Sequence, residues 1–184
     1  MVVLCTERLL LRPWQSLDRA PFAELNADPE VMQYFPATLT GERSDALVDR
    51  LSAAFDRQRE WGLWALEERG TGRFLGFTGL ADVAFTAPFT PATEVGWRLR
   101  RDAWGYGYAT EAARAAVAFA FAATGLDLRE VVSFTAEANA RSRSVMRRVG
   151  MHHDRADDFD HPTLPAGHPL RRHVLYRVDR PPSR

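Results

Sequence analysis

The 184-residue chain is long enough for one domain with its own core, and its 46% hydrophobic and 26% charged residues are those of an ordinary soluble globular protein. Lysine plus arginine equals aspartate plus glutamate at 24 each, so no excess positive field exists to bind nucleic acid or acidic membranes broadly. The lone Cys5 excludes an intramolecular disulfide, no apolar run reaches the roughly 20 residues of a membrane span, and the opening residues lack a signal-peptide pattern, so the expected location is the cytoplasm.

In chain order, residues 8–12 read as a first strand stopped by Pro13, and Ser16 or Asp18 can cap a helix running to about Ala27. Asp28-Pro29 opens a second short helical turn carrying Val31, Met32, Tyr34 and Phe35. Residues 41–60 repeat Ala46, Leu47, Leu51, Ala54 and Phe55 at helical spacing. The period then changes. Residues 61–67 and 73–80 are strand-like and joined by a Gly70-Thr71-Gly72 hairpin turn, residues 86–91 form a proline-bearing loop, and residues 94–100 make a fourth strand. An alanine-rich helix follows from about Ala109 to Ala123, then a strand at 131–135, a helix at 140–149 ended by Gly150, a proline-rich loop at 161–169 and a last strand at 173–178. Residues 181–184 are expected to be a disordered tail after a single domain at 1–180. The pattern is an α+β (mixed α/β) domain with a central, mostly antiparallel twisted sheet of about seven strands flanked by helices.

The stretch that carries chemistry is residues 101–111, between a strand and a helix. Gly105 and Gly107 let the backbone turn tightly and approach a ligand, and the helix beginning near Ala109 offers unpaired N–H groups at the positive end of its dipole. Together these suit a pyrophosphate. A dinucleotide fold would want a glycine where Thr110 stands, and a P-loop would want Gly-Lys-Ser/Thr, which is absent. A glycine-rich turn without a ligand is the competing reading of these residues taken alone.

The run from Glu94 through Val95-Gly96-Trp97-Arg98-Leu99 to Trp104-Gly105-Tyr106-Gly107-Tyr108-Ala109-Thr110-Glu111-Ala112 resembles the GNAT superfamily of N-acetyltransferases. It is similar in particular to the branch of the ribosomal-protein N-terminal acetyltransferases RimJ and RimL. Trp104 stands where the superfamily signature has Gln or Arg. A second motif from Asn139 through Ser142 to Gly150-Met151, and the opening residues 6–13, extend the resemblance over roughly residues 6–178. It implies acetyl-CoA as co-substrate, an amine acceptor, no metal, and a branch in which homodimers are plausible. Main-chain amides of Gly105, Tyr106, Gly107, Tyr108, Ala109 and Thr110, after Trp104, would hold the coenzyme pyrophosphate. The main chain of Trp97, Arg98 and Leu99 would pair with the pantetheine amides, and Asn139 would hydrogen-bond the pantetheine arm while also suiting a helix cap. Arg141, Arg143 or Arg147 is a candidate for a coenzyme phosphate, with a solvated helix face as the alternative.

For chemistry, the resemblance makes Glu94 the candidate general base, with Val95 and Trp97 as an apolar surround that would raise its pKa. Many relatives protonate the leaving thiolate with a tyrosine; Met146 occupies that place, leaving Ser142 to hydrogen-bond the sulfur. An exposed strand glutamate and a capping serine are the plainer readings. His152, His153, His161, His168 and His173 lack the spacing of known zinc sites, and although a loop histidine such as His161 could touch an acceptor, nothing in the sequence singles it out. Tyr34, Phe35, Pro36, Trp64 and Phe159 supply aromatic surface for an acceptor groove or, more simply, core. The competing function is a non-catalytic acyl-CoA-binding module.

Overall fold

The apolar runs assemble into one nine-stranded sheet in the computed structural model, which describes residues 2–57 and 61–182. The elements in order are β1 (Leu4–Cys5), β2 (Leu9–Arg12), α1 (Arg19–Ala27), α2 (Gly41–Arg57), β3 (Leu63–Glu68), β4 (Arg73–Asp82), β5 (Thr93–Leu99), α3 (Tyr108–Phe121), β6 (Glu130–Ala136), α4 (Ala140–Val149), β7 (His152–His153), β8 (Phe159–Asp160) and β9 (Arg172–Asp179). The strands lie in the order β1-β2-β3-β4-β5-β6-β9-β7, with β8 also on β9. Among the described residues only β5 and β6 pair in parallel.

That parallel pair is the feature that positions the site. It shares a single register contact, Glu94 opposite Val132, whereas β4 and β5 stay paired from Gly76 opposite Leu99 to Asp82 opposite Thr93. On the other side β6 stays paired with β9 from Glu130 to Ala136. Beyond Glu94 the two halves of the sheet therefore diverge, and the gap opens toward the ends of β5 and β6, where α3 and α4 begin.

Strand alternation sorts apolar residues to two faces. Leu11, Leu66, Leu75, Val95 and Val131 pack against Ala112, Ala113 and Ala116 of α3 and Met146 of α4. These small α3 residues let the helix lie close to the sheet. On the other face Phe22 and Leu25 of α1 and Val48 of α2 meet Phe74 and Phe77. Arg12 is buried at the end of β2, yet it is fully paired: its guanidinium grips both Asp18 oxygens at 2.8 Å, and its Nε donates to Glu67 at 2.7 Å. A buried charge held this way avoids the penalty of an uncompensated ion.

The sheet thus has nine strands rather than about seven, because β1, β7 and β8 are two-residue strands too short to show a period. Residues 28–32 close a single helical turn, with the Met32 N–H donating to the Asp28 carbonyl at 3.0 Å, but it is not continued into a helix through Phe35. Asp28 Oδ1 accepts the Glu30 N–H at 2.8 Å, and the chain continues as successive turns. Asp18 stands at the start of α1, but its carboxylate is taken by Arg12 and the Gln15 N–H rather than by a cap bond. The expected end of the second helix at Glu60, and the tail residues 183 and 184, lie outside the described residues. No helix among the described residues is long and apolar enough to cross a membrane.

Candidate active site

After β5 the chain makes a short 3-10 turn, Arg101–Ala103, and enters the glycine loop. Gly105 and Gly107 adopt φ of +86° and +83°. A Cβ at Gly105 would meet nothing within 4 Å, and one at Gly107 only Arg8 Nη2 at 3.7 Å, so the left-handed backbone, not crowding, selects glycine. The main-chain N–H groups of residues 105–110 have no protein acceptor among the described residues; the first helical bond of α3 runs from Glu111 N–H to the Gly107 carbonyl at 3.1 Å. Six successive donors at the positive end of a 14-residue helix make a strong anion cradle.

The loop is held from outside. Arg8 donates to the Tyr106 carbonyl at 3.0 Å and from Nε to Glu111 at 2.8 Å, while the Thr6 hydroxyl donates to Glu111 at 2.6 Å. Tyr108 is buried, and its phenol donates to Glu68 at 2.5 Å. The Trp104 indole N–H donates to the Leu99 carbonyl at 3.0 Å, and the Arg141 guanidinium sits 4.6 Å above the Trp104 ring. Trp104 and Tyr108 therefore shape the loop through their side chains, while Ala109 and Thr110 keep its wall thin.

A cleft of about 1510 Å³ runs from this loop through the gap between β5 and β6. The β6-facing edge of residues 96–99 is unpaired because the strands have parted. Asn139 lines the far wall and caps α4: its Oδ1 accepts the Ser142 N–H at 3.1 Å and its Nδ2 donates to Thr135 Oγ1 at 2.9 Å. The second Nδ2 hydrogen of Asn139 has no partner among the described residues. Ser142, in the first turn of α4, also lines the cleft, whereas Met146 one turn later is fully buried in the core. Of the basic residues of α4, Arg141 sits beside the loop on Trp104 and Arg148 also lines the cleft, while Arg143 donates to the Glu137 carbonyl at 3.0 Å and Arg147 points toward the Tyr176 hydroxyl.

Glu94 stands at the point where β5 and β6 part. It is half-buried and lines the cleft, and its carboxyl has no hydrogen-bond partner among the described residues. Burial pushes its pKa up to about 8. The expected cause needs correction: Val95 and Trp97 alternate to the α3 face, so the strand junction, not those side chains, desolvates the carboxyl.

Beyond Glu94, the cleft has two walls that no motif marks. On one side are Phe35, Phe77 and the Arg98 side chain; on the other are Phe134, His161 and His173. The two imidazoles lie 4.9 Å apart, and burial lowers the pKa of both. Thr163 Oγ1 lies 2.9 Å from Nδ1 of His161, and His173 Nδ1 lies 3.2 Å from the Arg171 carbonyl, which fixes Nδ1 of His173 as its protonated nitrogen when neutral. Tyr34, Phe35 and Pro36 do line the cleft. Trp64 does not: it is fully buried, with its indole N–H on the Val2 carbonyl at 3.0 Å. Phe159 is buried in an aromatic cluster with Phe85, Phe89 and Phe134 behind the histidine wall.

Comparison with known proteins agrees with this geometry. Residues 8–152 match the family model described as an acetyltransferase (GNAT) domain. The chain is 34% identical over 156 residues to the FsC-acetyl coenzyme A-N(2)-transacetylase of Aspergillus fumigatus, covering 82% of this chain and 65% of that protein. Its fold matches the crystal structure of an acetyltransferase from Agrobacterium tumefaciens with a TM-score of 0.74 and 28% identity, covering 97% of this chain and 94% of that one. It also matches the fold of RimL, a ribosomal L7/L12 α-N-protein acetyltransferase solved with coenzyme A, with a TM-score of 0.71 and 17% identity over 97% of this chain and 98% of that one. The resemblance read from the two motifs therefore extends to the whole fold.

Proposed function

The chain belongs to the acetyltransferase (GNAT) family, and from that premise we propose that it transfers the acetyl group of acetyl-CoA to a primary amine, a peptide N-terminus or a small molecule, by direct attack in a ternary complex. The observation that carries this is the row of unpartnered amides at residues 105–110 opening onto a cleft whose other end holds Glu94. The likeness to an N(2)-transacetylase supports nitrogen as the acceptor atom.

Acetyl-CoA supplies a thioester whose acyl carbon is open to attack by an amine. Residues 105–110 bind its diphosphate, Arg141 beside Trp104 adds positive charge at the same end, and the free β6-facing edge of residues 96–99 pairs with the pantetheine amides as an added strand does. Asn139 directs its remaining N–H at the pantetheine arm. Glu94, as carboxylate, takes the proton that the amine nitrogen sheds as the new C–N bond forms, directly or through a water in the cleft. When the C–S bond breaks, the Ser142 hydroxyl donates a hydrogen bond to the departing thiolate, which takes its proton from solvent. The products balance as amide plus free thiol.

Ser142 acts on a charge present only late in the reaction, so Ser142→Ala should lower kcat about 10-fold or more while the Kd for coenzyme A changes little. Single-turnover rates set beside calorimetric affinities check this, and a loss confined to affinity would remove Ser142 from the chemistry. The reaction class itself is tested by following thiol release from acetyl-CoA across a panel of peptides and small amines. Release with at least one amine is the expected result. Thermal stabilisation by acetyl-CoA without release by any amine would make the protein an acyl-CoA-binding module instead.

A further inference from the structure

Several arginines of the sheet and its adjoining turns are neutralised by carboxylates, and of the cleft-lining arginines without one, Arg114, Arg141 and Arg148 are exposed while Arg98 is partly enclosed. Arg100 donates to Glu24 at 3.0 Å and reaches Asp102 at 3.4 Å, Arg101 pairs with Glu30, and the buried Arg12 holds two carboxylates. Arg98 has no carboxylate partner among the described residues, although it is more enclosed than Arg100 or Arg101. Its Nε is shut off from solvent with no acceptor, and burial lowers its pKa to about 10, so it still carries its charge at neutral pH. A guanidinium has five N–H donors, and the single protein bond observed runs from Nη1 to Asn26 Oδ1 at 2.6 Å.

This group is held in place as well as uncompensated. The Phe35 ring lies 4.0 Å and the Phe77 ring 5.4 Å from its Cζ, a cation–π sandwich that fixes the guanidinium plane. Asn26 is itself fully buried, and its Nδ2 donates to Ser44 Oγ at 3.0 Å, so the anchor is rigid. A desolvated, oriented fork with unused donors is the arrangement that recognises a planar anion in bidentate fashion.

Its position relative to Glu94 states what that anion belongs to. Glu94, Gly96 and Arg98 share one face of β5, and four residues of strand separate the two charged positions by about 13 Å along the main chain. Gly96 between them leaves the floor bare; a Cβ there would meet only Glu94 Oε1, at 3.8 Å. Resting on the acetyl transfer proposed above, we infer that the acceptor is an amine that also carries a carboxylate, lying across Gly96 with its nitrogen at Glu94 and its carboxylate on the Arg98 fork.

Matched acceptors test this: β-alanine against β-alaninamide, γ-aminobutyrate against its amide, and a peptide beginning with glutamate against the same peptide beginning with glutamine. In the pair that turns over best, the carboxylate member should exceed its amide about 10-fold or more in kcat/KM, chiefly through KM. Which pair responds tells a free amino acid from a peptide side chain. Arg98→Gln should bring the ratio of the carboxylate member to its amide near one, whatever its effect on both, and Arg98→Lys, which keeps the charge without the fork, should retain part of it. A wild-type ratio near one, or a ratio that survives Arg98→Gln, overturns the inference while leaving acetyl transfer intact. A second measurement stands apart from turnover: at matched ionic strength, glutarate should raise the Tm of the wild-type protein and glutaramide should not, and Arg98→Gln should lose the glutarate response. If glutarate acts no differently from glutaramide, the carboxylate site does not exist; if every amine fails while the glutarate response holds, the transfer reaction is what falls.

Discussion

Glu94→Gln is expected to lower kcat/KM by about 10²-fold or more at pH 8 while the affinity for coenzyme A is preserved, because it removes the group that accepts the amine proton without changing the shape of the cleft. The pH profile carries more information than the loss itself. Burial pushes the Glu94 pKa up to about 8, beside roughly 7.7–8.0 for a peptide α-amine. Attack by a neutral amine with proton transfer to a carboxylate needs both groups deprotonated. Below pH 7 the logarithm of wild-type kcat/KM should therefore rise with a slope near two, and the Glu94→Gln slope should fall to about one. An unchanged slope with full activity would remove Glu94 from the reaction.

Stability should move the other way. The folded-state pKa of Glu94 is raised from 4.5 to about 8, so between these values the folded protein holds a proton that the unfolded chain has lost. That contribution is fully present below pH 4.5 and is lost as pH rises through 8. Glu94→Gln lacks the dependence and should be more stable than wild type at pH 8.5 by about 2 kcal/mol, less than the full shift because the cleft admits water. Denaturant unfolding at pH 5 and pH 8.5 checks the sign. A side chain kept at the expense of stability and needed for rate is one retained for chemistry.

A carboxylate placed in the anion cradle should be the most damaging change for coenzyme binding. Gly105 has open space around it and a φ that aspartate and asparagine tolerate better than other residues, so Gly105→Asp and Gly105→Asn should both fold. They are nearly identical in shape and differ in charge. Gly105→Asp is expected to weaken coenzyme A binding about 100-fold by repulsion of the diphosphate, and Gly105→Asn far less. Raising the salt concentration should narrow the gap, since screening weakens exposed charges. Isothermal titration of both variants is the check, and equal affinities would place the diphosphate elsewhere.

The glycine loop and the helix after it were readable because their information is local: two glycines, a helix start and the tight run of alanines sit within a few residues. The α4 cap was readable for the same reason, with Asn139 and Ser142 three residues apart. The resemblance marks Glu94, but its surround is not legible from its neighbours in sequence, because Val95 and Trp97 lie on the opposite face of the strand. The Arg98 side chain carried no signal at all. Its character depends on Asn26 in α1, Ser44 in α2 and Phe35 in the turns between, which strand pairing and helix packing bring to β5 from more than 50 positions away. The histidine wall is similar: His161 and His173 meet only because β8 and β9 pair, and β8 is two residues long. The short turn after Asp28, by contrast, was as local as the α4 cap, since Asp28 Oδ1 accepts the Glu30 and Val31 N–H groups and its carbonyl accepts from Met32.

In the proposed reaction the main chain between Gly105 and Thr110 grips a diphosphate. A crystal structure of the protein grown with coenzyme A tests it directly. Diphosphate oxygens within hydrogen-bonding distance of several of those amides, with the pantetheine arm leading through the gap between β5 and β6 toward Glu94, are the expected result. A coenzyme bound with its diphosphate away from that loop, or no bound coenzyme at saturating concentration, would contradict it.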